Sequence, residues 1–188
     1  MVGTISEIGA EVEGFAVGDA VGVGCIADSC RSCHSCNKGD EHYCEKGFTL
    51  SFNSRDGEGR VNYGGYSSDY VVDYDYLVPI PRGADLARMA PLLCGGITVY
   101  TPLKRFNVGP GTTLCVLGMG GLGHLAIQFA RAMGARVIVA SRSESKRSDA
   151  KRLGAEEALD PDSDDLEAWL GQCDLILDTI SNQHDLNR

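Results

Sequence analysis

Residues 112–140 read TTLCVLGMGGLGHLAIQFARAMGARVIVA, and few folds can accommodate that order. TTLCVL is a continuous apolar run, as a parallel strand buried on both faces requires. GLGHLAIQFARAMG is apolar at helical spacing and stops at Gly134. ARVIVA is a second buried strand. The pattern continues with a polar helix, SESKRSDAKRLGA, ending at Gly154. DSDDLEAWL then predicts a helix start capped by Ser163, its acids suiting the positive end of the dipole. CDLILDTI is a third apolar strand. Strands alternating with helices predict an α/β doubly wound parallel sheet.

Between the first strand and its helix lies GMGGLG, comprising Gly118, Met119, Gly120, Gly121, Leu122 and Gly123. This is the G-x-G-x-x-G pattern in the strand–turn–helix context that gives it meaning. Gly118 permits the tight turn, Gly120 a close approach to a pyrophosphate, and Gly123 tight helix–strand packing. The helix N-terminus offers N–H groups and partial positive charge to phosphates. A plain glycine-rich turn is the alternative. NAD sites usually place an acid at the end of the second strand. Here Ser141, Arg142 and Ser143 stand there, with Lys146 one turn on. Arg grips a 2′-phosphate with paired hydrogen bonds and Lys adds charge, which favours NADP. Solvated helix positions are the other reading of Arg142 and Lys146, and Glu144 counts against the phosphate.

The first 80 or so residues differ in kind. VGTISEIG and DAVGVG are short apolar runs punctuated by glycine, and SFNSRDGEGRVNYGGYSSDYVVDYDYLVPIP alternates turn residues with β-formers such as Tyr70, Val71 and Val72, so the region reads as β-rich. Pro79 and Pro81 close this region, and DLARMAPLLCGGITVYTPLKRF predicts helix, interruption, helix. The domain boundary is expected near residue 83, giving domains 1–83 and 84–188.

Between Cys25 and Cys44 the chain reads CIADSCRSCHSCNKGDEHYC. Cys30, Cys33, Cys36 and Cys44 are spaced C-x2-C-x2-C-x7-C, so a short knuckle converges three sulfurs and a loop returns the fourth. Zinc in a closed, structural tetrahedron suits this. An iron–sulfur cluster, a disulfide framework, or His34 or His42 in place of one sulfur are the alternatives; the long last gap followed by Glu45 counts against the first. Compartment counts against disulfides. No apolar run approaches the ~20 residues that span a bilayer, and MVGTISEIGAEVEGF lacks a signal peptide's basic start and apolar stretch. A cytosolic location, with thiols reduced, is therefore expected. A net charge of −9 makes nucleic acid a poor partner. Cys25, ending the AVGVGC run, is expected as a small core residue.

Taken together, VGDAVGVGCIADSCRSCHSC, YGGYSSDYVV, APLLCGGITVYTPLKRF, LGMGGLGHLAIQFARAMGA and LDTISNQHDL resemble the zinc-dependent medium-chain alcohol dehydrogenases, in the cinnamyl alcohol dehydrogenase branch. The resemblance implies a partial GroES-like catalytic domain over 1–83, then linker helices and a partial Rossmann domain over 84–188. It implies hydride transfer between NADP and a small alcohol or aldehyde. Cys30, Cys33, Cys36 and Cys44 become the structural zinc ligands and Cys94 a ligand of the catalytic zinc; without the resemblance Cys94 reads as a core cysteine. Thr98 and Thr179 match positions near the nicotinamide. The chain corresponds to roughly the middle half of a family member, lacking the Gly-His-Glu motif with its zinc-binding His. Little or no dehydrogenase activity is therefore expected of these 188 residues alone. A family-like homodimer would pair through strands beyond Arg188. The alternatives are a non-catalytic zinc- and nucleotide-binding fragment, an NAD-dependent polyol dehydrogenase relative, and a quinone-reductase-like relative without zinc.

Overall fold

In a computed structural model, which describes residues 1–169 and 171–185, glycines and prolines cut the N-terminal half into short strands. These are β1 (Val2–Thr4), β2 (Ala20–Val23), β3 (Ile26–Asp28), β4 (Thr49–Leu50), β5 (Phe52–Arg55), β6 (Val61–Tyr63) and β7 (Leu77–Pro79). β1, β2 and β7 form an antiparallel sheet with β2 central; β3 pairs with β4 and β5 with β6. Residues 70–72 are not a strand. Val71 is 97% exposed, so its β-branched side chain has no facing strand to pack on and its propensity counts for nothing. The β-rich stretch around them forms strands at β5, β6 and β7. This unit runs from Met1 to Cys94 and ends with a short helix, α1 (Leu86–Met89), capped by Asp85, and a 3-10 turn, Ala90–Leu93.

The second unit, Gly95–Arg188, starts with α2 (Gly95–Arg105). There follow β8 (Thr113–Leu117), α3 (Gly121–Ala132), β9 (Arg136–Ala140), α4 (Glu144–Leu153), β10 (Glu157–Leu159) and β11 (Leu175–Asp178). The sheet is parallel in the order β10-β9-β8-β11, the doubly wound arrangement expected. Gly134 and Gly154 end α3 and α4 in left-handed conformation, as the sequence predicts. Leu114 and Val116 of β8, Ile127 of α3 and Val139 of β9 are completely buried. Each such side chain contributes about 1.5–3 kcal/mol relative to exposure. The segment predicted as a helix after Ser163 is a 3-10 helix, Asp164–Trp169. Ser163 Oγ donates backwards to the Asp160 carbonyl at 3.0 Å. Among the described residues no helix is long and apolar enough to cross a membrane.

Candidate metal centre and nucleotide site

β3 delivers the chain into the cysteine knuckle. Two 3-10 turns, Cys36–Lys38 and Glu41–Tyr43, then bring Cys44 back to it. The four sulfurs of Cys30, Cys33, Cys36 and Cys44 all lie within 4.8 Å of one another. Sulfurs about 2.3 Å from one zinc in a tetrahedron sit ~3.8 Å apart. The Cys30–Cys36 and Cys33–Cys36 separations are 3.9 and 3.4 Å. The donor set and its spacing therefore fit a closed zinc site. His34 and His42 are exposed and outside the group, which removes the histidine alternative.

The knuckle backbone also prepares the ligands. The Cys36 amide donates to Cys33 Sγ at 3.5 Å. The Ser32 amide holds the Cys30 thiol down at about 6, and the Cys36 and Glu45 amides lower Cys33. At Cys36 the Ser29 hydroxyl pulls downwards, but burial and the neighbouring thiols of Cys33 and Cys44 outweigh it and push the group up to about 11. Backbone donors thus favour the thiolate form at Cys30 and Cys33, the form that binds metal, while burial and neighbouring thiols disfavour it at Cys36.

Cys94 lies apart from this cluster. It lines a cavity of about 270 Å³ with Met1, Cys25, Phe52, Tyr66 and Leu93. Cys25 is not the core residue expected: it is half-buried, and its thiol is raised by burial and by a hydrogen bond with Cys94. Ser51, 1% exposed, fixes this corner, its amide donating to the Cys25 carbonyl at 2.8 Å and its hydroxyl to the Gly24 carbonyl at 2.7 Å. Among the described residues only the four-cysteine group gathers three or more potential ligands.

In the second unit β8 ends at the glycine turn. Gly118 has φ +86°, and a Cβ there would stand 2.9 Å from Ile180 Cγ1. A Cβ on Gly123 would overlap the Gly118 carbonyl oxygen, whereas one on Gly120 or Gly121 would meet open space. Gly120 is the N-cap of α3 and no side chain caps it, so the first amides of the helix are left for a ligand. A pyrophosphate fits that cradle. Met119 turns its side chain into the core, so it offers the loop only backbone. Thr179 Oγ1 donates to the Leu117 carbonyl at 2.9 Å, bracing the turn. Thr98 is exposed on α2, and Leu122, behind the turn, packs against the core.

At the end of β9, Ser141 is buried while Arg142 and Lys146 are exposed and Ser143 is the N-cap of α4. Sequence reasoning passed over Arg147. Its guanidinium donates to the carbonyls of Ser141 (2.7 Å) and Arg142 (3.0 Å) and to Asp160 (2.8 Å), fixing this turn's backbone. His184 was also missed: its Nε2 lies 2.8 Å from Asp178 Oδ2, beyond the carboxyl end of β11. The Asn182 carbonyl accepting from Nδ1 is the main cause of a raised pKa at His184; Asp178 adds to it, while desolvation and Arg142 oppose it. A raised folded-state pKa means that the stabilisation is complete at low pH and lost as pH rises through that value. NMR titration should give His184 a midpoint above 6.5, and Asp178→Asn should lower it; a midpoint at or below 6.5 contradicts the pairing.

Residues 1–82 match the alcohol dehydrogenase GroES-like domain and residues 121–188 the zinc-binding dehydrogenase domain. A probable formaldehyde dehydrogenase of Bacillus subtilis, AdhA, is 46% identical over 188 residues, 100% of this chain and 54% of that protein. The NADP-dependent alcohol dehydrogenase C 1 of Mycolicibacterium smegmatis is 47% identical over 190 residues, 99% of this chain and 54% of that protein. The solved structure of a Sorghum bicolor cinnamyl alcohol dehydrogenase, SbCAD4, superimposes with a TM-score of 0.92 at 42% identity, over 97% of this chain and 53% of that one. The chain spans about half the length of the curated relatives it matches. With both domain types matched in order around a four-sulfur cluster and a glycine turn, the chain belongs to the zinc-dependent medium-chain alcohol dehydrogenases and is cinnamyl alcohol dehydrogenase-like.

Proposed function

We propose that this chain carries the zinc loop and the nucleotide-binding turn of an NADP-dependent alcohol dehydrogenase that interconverts primary alcohols and aldehydes. The observation that carries the reading is the coincidence on one chain of a closed four-sulfur cluster and an uncapped helix N-terminus behind a glycine turn. Bound NADP supplies the hydride chemistry, and zinc in a catalytic site polarises the substrate oxygen. The chain's own residues do the holding. Amides at the start of α3 receive the pyrophosphate. Arg142 and Lys146, with Ser141 and Ser143, receive the 2′-phosphate at a strand end that has no acid. Thr179 keeps the turn in place, and Thr98 and Thr179 stand for the positions nearest the nicotinamide. Cys30, Cys33, Cys36 and Cys44 brace the fold around their metal without touching substrate.

Cys94 is the candidate ligand for the catalytic zinc, and Cys25 is the thiol beside it. Zinc with an open position takes three protein ligands, and these two sulfurs fall one short of that set. This favours a second reading of the 188 residues as a zinc- and nucleotide-binding fragment without turnover. Reduction of an aromatic aldehyde with NADPH, abolished by Cys94→Ser, decides for the enzyme reading. Nucleotide binding with no turnover decides for the second.

Calorimetric titration tests the cofactor. NADPH should bind at least about tenfold more tightly than NADH, since one charge-assisted hydrogen bond contributes about 1.5–3 kcal/mol. Arg142→Ala should remove about tenfold of NADPH affinity and leave NADH unchanged. Equal affinities, or an equal loss for both nucleotides, count against the 2′-phosphate assignment.

A further inference from the structure

Two hydroxyls connect the Cys36 sulfur to a turn far along the sequence. Cys36 Sγ lies 3.4 Å from Ser29 Oγ, and the Tyr76 hydroxyl donates to the same oxygen at 2.8 Å. Tyr76 is 47 residues from Ser29 and belongs to the 3-10 turn Tyr74–Tyr76. Arg31 holds that turn against the knuckle. Its Nη1 donates to Asp73 at 2.8 Å and lies 3.5 Å from Asp75, while Nη2 donates to Asp28 at 3.2 Å. Its guanidinium carbon sits 5.3 Å from the centre of the Tyr76 ring. Arg31 takes φ +52°, unusual for a residue with a side chain.

We propose that Tyr76 and Ser29 form a hydrogen-bond relay that positions the Cys36 sulfur and slows loss of the metal. Arg31 is the positioning residue that holds Tyr76 in reach. The inference rests on the metal reading of the four cysteines. A metal-bound sulfur only accepts hydrogen bonds. Ser29 must then turn its proton towards sulfur, and it keeps its own oxygen satisfied because Tyr76 already donates to it. Four thiolates around a divalent ion carry a formal charge of about −2, and hydroxyl donors aimed at sulfur spread that charge. The relay is polarised in one direction, Tyr76 to Ser29 to Cys36, so Tyr76 acts only through Ser29. Partners of this kind are worth roughly 10–100-fold in metal affinity.

The test uses the zinc-loaded 188-residue chain and a chromogenic chelator that reports zinc release, with the charge-transfer band of the cobalt-substituted protein as a second readout. Ser29→Ala should release zinc about 10–100-fold faster and shift the cobalt band. Ser29→Thr, which keeps the hydroxyl, should release at nearly the wild-type rate. Tyr76→Phe keeps the ring beside Arg31 and should accelerate release about tenfold. The double variant Ser29→Ala/Tyr76→Phe should be no faster than Ser29→Ala alone, which separates a relay from mere packing. Additive effects, or single variants that release zinc at the wild-type rate with an unshifted band, overturn the relay while the metal site stands. A wild-type chain that takes up no metal overturns both.

Discussion

Replacing Cys33 with serine is expected to reduce the zinc bound by the purified chain from about one equivalent to almost none. Cys33 is buried in the knuckle, and its sulfur stands 3.4 Å from that of Cys36. Removing it leaves three sulfurs and opens one face of the tetrahedron. Partners outside the ligand shell already affect affinity roughly 10–100-fold, so losing a ligand should weaken binding by more than about a hundredfold. The consequences extend beyond the metal. The segment from Ser29 to Lys46 contains only short 3-10 turns, a form of regular structure with poor hydrogen-bond geometry. Without the ion to draw its ends together, it pays its ordering entropy against few apolar contacts. Proteolysis should therefore cut the variant, and chelator-treated wild type, within this loop, while the Gly95–Arg188 unit stays protected. A variant that keeps a full equivalent of zinc and the same cleavage pattern would show that the four sulfurs do not act together.

Gly123→Ala should remove NADPH binding and destabilise the second unit. A methyl group at this buried position runs into the carbonyl oxygen of Gly118, a backbone atom that cannot rotate away. Either α3 slides off β8 or the turn opens, and each movement carries the helix amides away from the pyrophosphate. Overpacking typically costs about 1–3 kcal/mol, and an obstacle in the backbone puts this substitution towards the upper end. Nucleotide affinity should fall by at least about a hundredfold, since several amide contacts go at once, each worth about 1 kcal/mol. Gly121→Ala, where a Cβ meets open space, is the control: the fold should be unchanged. If Gly123→Ala binds NADPH like wild type, the nucleotide is not held at this turn.

What could be read from the sequence was what neighbouring residues determine. The strands β8, β9 and β11, the helix α3 and the caps at Gly134 and Gly154 all follow from local periodicity and chain reversal, although β11 has no buried residue. The four cysteines were legible because three of them share one knuckle. The failures have a common cause. Tyr70, Val71 and Val72 carry the propensity of a strand, but strands need a partner, and among the described residues these three pair with none. Ser29 and Tyr76 look ordinary until the fold brings them to 2.8 Å. Arg147 looks like one more charge on a polar helix until the fold brings Asp160, thirteen residues on, within 2.8 Å of it. Cys25 ends an apolar run, which reads as core, whereas long-range packing sets it beside Cys94. Contacts between distant residues leave little trace in a local pattern, and here they surround both candidate sites.

Elemental analysis of the purified wild-type chain, combined with alkylation of its accessible thiols, bears most directly on whether the four-sulfur group of the first unit holds a metal. The account predicts about one zinc per chain, with Cys30, Cys33, Cys36 and Cys44 shielded until a chelator is added. A colourless, zinc-free protein in which those four thiols alkylate as readily as Cys94 would contradict it.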